Sequence, residues 1–326
     1  MRLDRRRWLL GSLAVLLAAS CFGILGPVSR LAYDGGMEPL GFVTWRSTIG
    51  GIVLAVYLAI QLARGAERWV PFRSMSRRTL GSLAGAAISG VVLNLAMFVA
   101  FGRVTIALAL LTFYTYPVMV AVVDAVVRRE PPDRPTLGAL GLGVAGAILV
   151  VAGGLGSSGE VRIDLLGLAL AFVAACSQVV FIAVSRTGYQ AVPTLQAMTS
   201  ILLADAVAFA AIAIAVGQVA QLGGPIAHPA VWGLLVVAGV PGAGVASALF
   251  LTGVRMIGGT RTGILALFEP VVGVVLAAVL LAEAIGPLQV AGGVLVLGAA
   301  ILLQVTTRRA GPGRPALPPE AIPGTI

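Results

Sequence analysis

No lysine occurs anywhere in the chain; all 22 basic residues are arginine. Charge of either sign is scarce, 11% of 326 residues, with 13 acidic side chains and a formal net charge of +9. A water-soluble domain needs far more charge to clothe its surface, so that class is excluded. Cysteine occurs twice, at Cys21 and Cys176, both inside apolar runs, which gives no disulfide framework and no metal motif. The single histidine, His228, cannot build a zinc site, and HExxH is absent. There is no GxxxxGK[ST] loop, so ATP is not the direct driver of any work this chain does. A rhomboid-type serine protease needs GxSG, but Ser89-Gly90 follows Ala87 rather than glycine. Nothing in the sequence calls for a cofactor.

What the chain has instead is apolar side chain: 59% of residues, with a mean hydropathy of +1.02. About 20 apolar residues cross a bilayer, and runs of that length recur from end to end. Ten can be drawn, at about 8–29, 39–63, 80–101, 104–127, 135–153, 164–185, 195–217, 231–254, 260–282 and 285–306. The class is all-α polytopic membrane protein; a β-barrel would alternate polar and apolar residues instead. The arginines fall mainly at the N-terminus, in the even-numbered loops (Arg64 to Arg78, Arg128 to Arg134, Arg186, Arg255 and Arg261) and in the tail. The odd loops hold only Arg30, Arg103 and Arg162. By the positive-inside rule both termini are cytoplasmic and the protein sits in the cell membrane. The positive charge therefore reports orientation and gives no reason to expect a nucleic-acid partner.

The chain also repeats itself. At an offset of 153, Pro117 meets Pro270, Glu130 meets Glu283, and Ala147-Ile148-Leu149 meets Ala300-Ile301-Leu302. At an offset of 156, Leu9-Leu10-Gly11 meets Leu165-Leu166-Gly167, Val28-Ser29-Arg30 meets Val184-Ser185-Arg186, and Tyr33 meets Tyr189. The expected organisation is a first repeat over 1–153, a second over 164–306, and a disordered cytoplasmic tail at 307–326. Five spans per repeat is an odd number, so the second copy enters from the opposite side. The ten transmembrane helices form two inverted five-helix repeats, as in many secondary transporters.

These features resemble the EamA-type transporters of the drug/metabolite transporter superfamily. The residues that carry the likeness are Pro39-Leu40 with Trp45-Arg46, Tyr116-Pro117 through Arg129-Glu130, and Phe268-Glu269-Pro270 through Ala282-Glu283. The closing Pro287-Leu288-Gln289 helix completes them. One departure is that the first repeat reads Tyr-Pro where the second reads Glu-Pro. The resemblance implies spans one to four and six to nine around a central cavity, with five and ten outside. It also implies transport of small metabolites, often export of amino acids or related compounds.

Ionisable residues inside spans are costly, so each needs an account. Glu269, beside Pro270, is the leading candidate for substrate binding or proton coupling. Arg46 is expected either to hold a substrate carboxylate, to pair with Glu269 or Asp205, or to snorkel to the outer interface. Asp205 is midway along span seven. Asp124 stands one turn before Arg128, and a local ion pair explains it. The uncharged candidates are Asn94, Tyr114, Tyr116, Ser177 and Gln178, each of which can also bond structurally across helices. Pro117, Pro270 and Pro241 are expected to kink their helices, and Gly81 with Gly85 to pack closely. The expected function is a secondary transporter, an exporter of a small polar or amphiphilic metabolite, rocking one repeat against the other, with protons as a candidate coupling ion and uniport left open. A lipid or carrier-lipid flippase and an intramembrane enzyme are the alternatives.

Overall fold

The computed structural model describes residues 2–129, 132–154, 163–281 and 285–309. The matched acids Glu130 and Glu283 and the chain beyond Arg309 lie outside these residues. Nine described helices are long and apolar enough to cross a membrane, and a shorter apolar helix follows them. In order, spans one to five are Arg6–Asp34, Pro39–Ala63, Arg77–Arg103, Ile106–Val127 and Arg134–Gly153. Spans six to ten are Leu165–Thr187, Thr194–Ala215, Pro229–Ile257, Gly259–Leu276 and Pro287–Leu303. The last helix continues to Arg309, past the boundary expected at 306.

The starts of these helices follow from their sequences. Pro39 opens span two at a position that has no intrahelical donor to lose. Ser76 caps span three by accepting from Thr79 N–H, Asp133 caps span five through Thr136 N–H, and Asp164 caps span six through Leu166 and Gly167 N–H. Outward faces carry large apolar side chains such as Ile88, Val127, Val207 and Val279, as a surface in contact with lipid does.

The two repeats interpenetrate. Span one packs on eight, two on seven, three on six and five on ten, while four packs on six and nine. Every one of these partners comes from the other half of the sequence, which is the pairing an inverted pseudo-two-fold arrangement gives. A close backbone seam joins spans five and ten. A Cβ on Gly146 would fall 2.7 Å from the Gly292 carbonyl oxygen, and one on Gly292 would fall 2.5 Å from the Gly146 carbonyl oxygen. The expected close packing at Gly81 and Gly85 is absent, since a Cβ on either would meet nothing within 4 Å. The glycines that permit this helix contact are Gly146 of span five and Gly292 of span ten, where the partner backbone comes near.

Spans four and nine are each broken in the middle. Span four is helical over Ile106–Phe113 and again over Tyr116–Arg128; span nine is helical over Gly259–Ala266 and again over Glu269–Leu281. The two gaps coincide at the 153-residue offset, with Pro117 and Pro270 second in the new helices. A proline there cannot donate to the preceding turn and disfavours helical geometry in the residue before it. Span eight instead loosens into a π-helical turn over Val240–Val245, around Pro241. Span one breaks between Phe22 and Leu25.

Candidate functional site

The breaks converge on one cavity. Gly23, in the gap of span one, lies so close to span nine that a Cβ on it would fall 2.8 Å from the Glu269 carbonyl oxygen. Next to this contact opens a cavity of about 330 Å³, within the size range of small-molecule sites. Its mouth holds Arg30, Asp34, Thr105, Gly154 and Gln289. These residues belong to the ends of spans one and five and the starts of four and ten. The cavity therefore opens at the end of the bundle opposite to the chain's N-terminus.

Two polar groups face the cavity. In the first, Arg46 of span two donates through Nη2 to Asn94 Oδ1 of span three at 2.6 Å, and Asn94 Nδ2 donates to the Gly90 carbonyl at 2.9 Å. The guanidinium lies 4.8 Å from the Phe98 ring centroid, a cation–π contact. Arg46 is 3% exposed, so it does not snorkel to the interface. In the second group, Glu269 is the first residue of the half-helix Glu269–Leu281, where a carboxylate complements the helix dipole. Tyr114 and Tyr116 interact with it electrostatically. The Tyr114 hydroxyl approaches the Glu269 carboxyl but misses hydrogen-bond geometry. Between the two groups the wall is apolar and aromatic: Phe22, Met97, Phe101, Leu110, Phe113 and Phe250.

Of the candidates read from sequence, Arg46, Asn94, Tyr114, Tyr116, Gln178 and Glu269 line this cavity, as does Pro270. Ser177 does not, because adjacent residues on a helix point in different directions. Asp205, Pro117 and Pro241 are also outside the lining; Asp205 is buried at 1% exposure with its carboxyl against Gly90 of span three. The mouth residues Arg30, Asp34 and Gln289 and the aromatic wall were missed by sequence reasoning. The match of Arg30 to Arg186 at the 156-residue offset is a signal that could have drawn attention to Arg30.

The opposite end of the bundle is shut. Asp124 pairs with Arg186 of span six and accepts from both the backbone N–H and the hydroxyl of Thr260 in span nine. Its partners therefore come from distant spans, where the sequence had suggested a turn of its own helix. Beside it Arg255 donates to the Val192 and Tyr189 carbonyls and to the Thr194 hydroxyl, and its guanidinium lies 5.0 Å from the Tyr189 ring centroid. At the cavity end Arg103 pairs with Asp164 at 3.3 Å on the exposed rim.

A family model described as the EamA-like transporter family matches residues 9–152 and again residues 165–305. A solved structure described only as a crystal structure of a protein superposes with a TM-score of 0.72. It is 22% identical and covers 93% of this chain and 98% of its own, which shows a shared fold. No curated protein matches the sequence.

Proposed function

Because the chain belongs to the EamA-like transporter family, we propose that it is a secondary transporter which exports a small polar or amphiphilic metabolite, an amino acid or a related compound, by alternating access. The observation that carries this reading is the cavity between two inverted repeats, open at one end and shut at the other. Its arginine and its glutamate stand on different helices with aromatic walls between them. Such a lining suits a solute with an anionic group, a cationic group and an apolar body. The arginine bias of the loops supports cytoplasmic termini and hence a cavity that faces outward in this conformation.

Cross-repeat packing also bears on the motion. Halves that rocked as separate rigid bodies would have to part every principal helix pair at once. Movement at the broken spans four and nine, on either side of fixed pairs such as five with ten, leaves most of that packing intact.

Comparative metabolite profiling tests the proposal. Medium from cells that make the protein should be enriched in one or a few small zwitterions relative to cells that lack it. Equal medium, with a lipid co-purifying in stoichiometric amount, would replace metabolite export with lipid translocation.

A further inference from the structure

Asp205 does no evident work in packing or in the cavity lining. It is 1% exposed, and its Oδ1 is buried without a hydrogen-bond partner. The carboxyl lies against span three at Gly90, where a Cβ would fall 3.0 Å from Oδ2. Gly90 is the residue whose carbonyl accepts from Asn94, and Asn94 in turn accepts from Arg46. Arg46 has an orphaned buried atom of its own, Nε. Arg46 and Asp205 attract one another electrostatically, yet neither orphaned atom finds a partner.

Arg46 thus meets two environments. It lines the cavity, and through Asn94 and Gly90 it is linked to the Asp205 carboxyl, which it attracts electrostatically. A guanidinium keeps its proton under all ordinary conditions, so Arg46 is a fixed positive charge. A buried carboxylate with an unsatisfied oxygen is tolerated only while a cation offsets it or a proton neutralises it. When an anionic group enters the cavity and pairs with Arg46, the cation is shared between two anions, and the group able to respond is Asp205. Resting on the reading of the cavity as a substrate site, we infer that Asp205 is a proton-binding site outside the cavity, filled when an anionic substrate group occupies Arg46. The carboxylate takes one proton from water as the anion binds and returns it as the anion leaves.

The groups facing Asp205 from neighbouring elements favour a one-to-one exchange of this kind. Span two contributes Arg46, with Tyr33 of span one beside it. Span three has arginines only near its ends, at Arg77, Arg78 and Arg103, and contributes neutral Asn94 at this depth. The π-helical turn of span eight has no ionisable residue, and Arg255 further along is held by the Tyr189 and Val192 carbonyls. The Val219–Gly223 turn is uncharged, and span seven itself carries no other ionisable side chain.

Infrared difference spectroscopy on the purified full chain tests the link without any substrate. The C=O stretch of protonated Asp205 is identified by its loss in Asp205→Asn, or by its displacement in Asp205→Glu if the asparagine variant does not fold. Arg46→Gln removes the cation permanently, so at matched pH the ratio of acid to carboxylate at Asp205 should rise about tenfold or more. An unchanged ratio overturns the coupling and leaves the export reading standing. Calorimetry with 3-phenylpropionate, an aromatic carboxylate without an amine, is then run in two buffers of different ionisation enthalpy. About one proton should be taken up per molecule bound, and none in Asp205→Asn, or in Asp205→Leu if the asparagine variant does not fold. Uptake that persists in these non-titratable variants, or no binding at all, overturns the inference. Metabolite profiling stands or falls separately, because it does not depend on where the proton goes.

Discussion

Asp124 Oδ1 lies 2.7 Å from Arg186 Nη1, and Asp124 Oδ2 accepts from Thr260 Oγ1 at 2.6 Å and from Thr260 N–H at 3.2 Å. One carboxylate thus ties span four to spans six and nine at the end of the bundle where the cavity is closed. Under the proposed alternating access, solvent enters there when the protein opens toward that side, and these bonds then have to break. Asp124→Asn keeps an oxygen for Thr260 but loses the charge. A double-mutant cycle with Arg186→Gln should give a coupling of about 1 kcal/mol, modest because both side chains keep partial exposure. Thermal unfolding in detergent measures it. Strict additivity would show that the pair contributes nothing to closure.

Arg46 is held by geometry as well as charge. Arg46→Lys keeps the positive charge but loses the planar fork that reaches Asn94 and stacks on Phe98. Transport should fall about tenfold or more at equal expression, the equivalent of about 1.4 kcal/mol in the bound complex. A lysine variant with full activity would reduce Arg46 to a point charge.

Glu269 faces tyrosines, with no arginine among the partners found for it in the described residues. A carboxyl so placed can hold a proton or the cationic group of a substrate in turn. In proteoliposomes Glu269→Gln should lose pH-gradient-driven uptake and retain exchange at equal pH. Gradient-driven uptake at the unmodified rate would remove Glu269 from the coupling.

Glycine substitutions separate helix contact from open surface. Gly292→Ala places a methyl group against the Gly146 carbonyl, with backbone on both sides and nowhere to shift. It should destabilise the protein by about 1–3 kcal/mol. A Cβ on Gly141, five residues before Gly146 on the same helix, meets nothing within 4 Å, so Gly141→Ala should be neutral. Equal melting temperatures for the two variants would refute the seam.

Orientation is tested by reporters. A fusion after Arg309 should read cytoplasmic and one near Gly156 external, in keeping with the arginine distribution. An external signal after Arg309 would invert the assignment of the cavity mouth.

Much of the architecture was legible because a bilayer leaves few options. Runs of about 20 apolar residues, the arginine asymmetry and the 153-residue echo lead to ten spans in inverted repeats. The cavity was legible only in part. Polar or prolyl residues deep in a span stand out, so Glu269, Arg46, Asn94 and the Tyr114–Tyr116 pair could be picked. Aromatic wall residues such as Phe98 and Phe250 look like any lipid-facing phenylalanine until the helices are placed. Asp124 was misread because sequence shows neighbours one turn away, whereas Arg186 reaches it across 62 positions. Asp205 stood out by its depth, but which way it faces depends on helix rotation, and no periodicity in span seven reveals that.

The Gly146–Gly292 seam has a consequence for biogenesis. Span five leaves the ribosome well before span ten, the helix against which its glycine face fits. Domains usually mature in the order of their emergence; here the first half is made before the partner of its small-residue stripe. Span ten adds no ionisable group to the polar centre of the cavity, so what it supplies is cover for this face. A chain that ended before span ten would hold the arginine and the glutamate but leave the Gly146 face of span five unfilled.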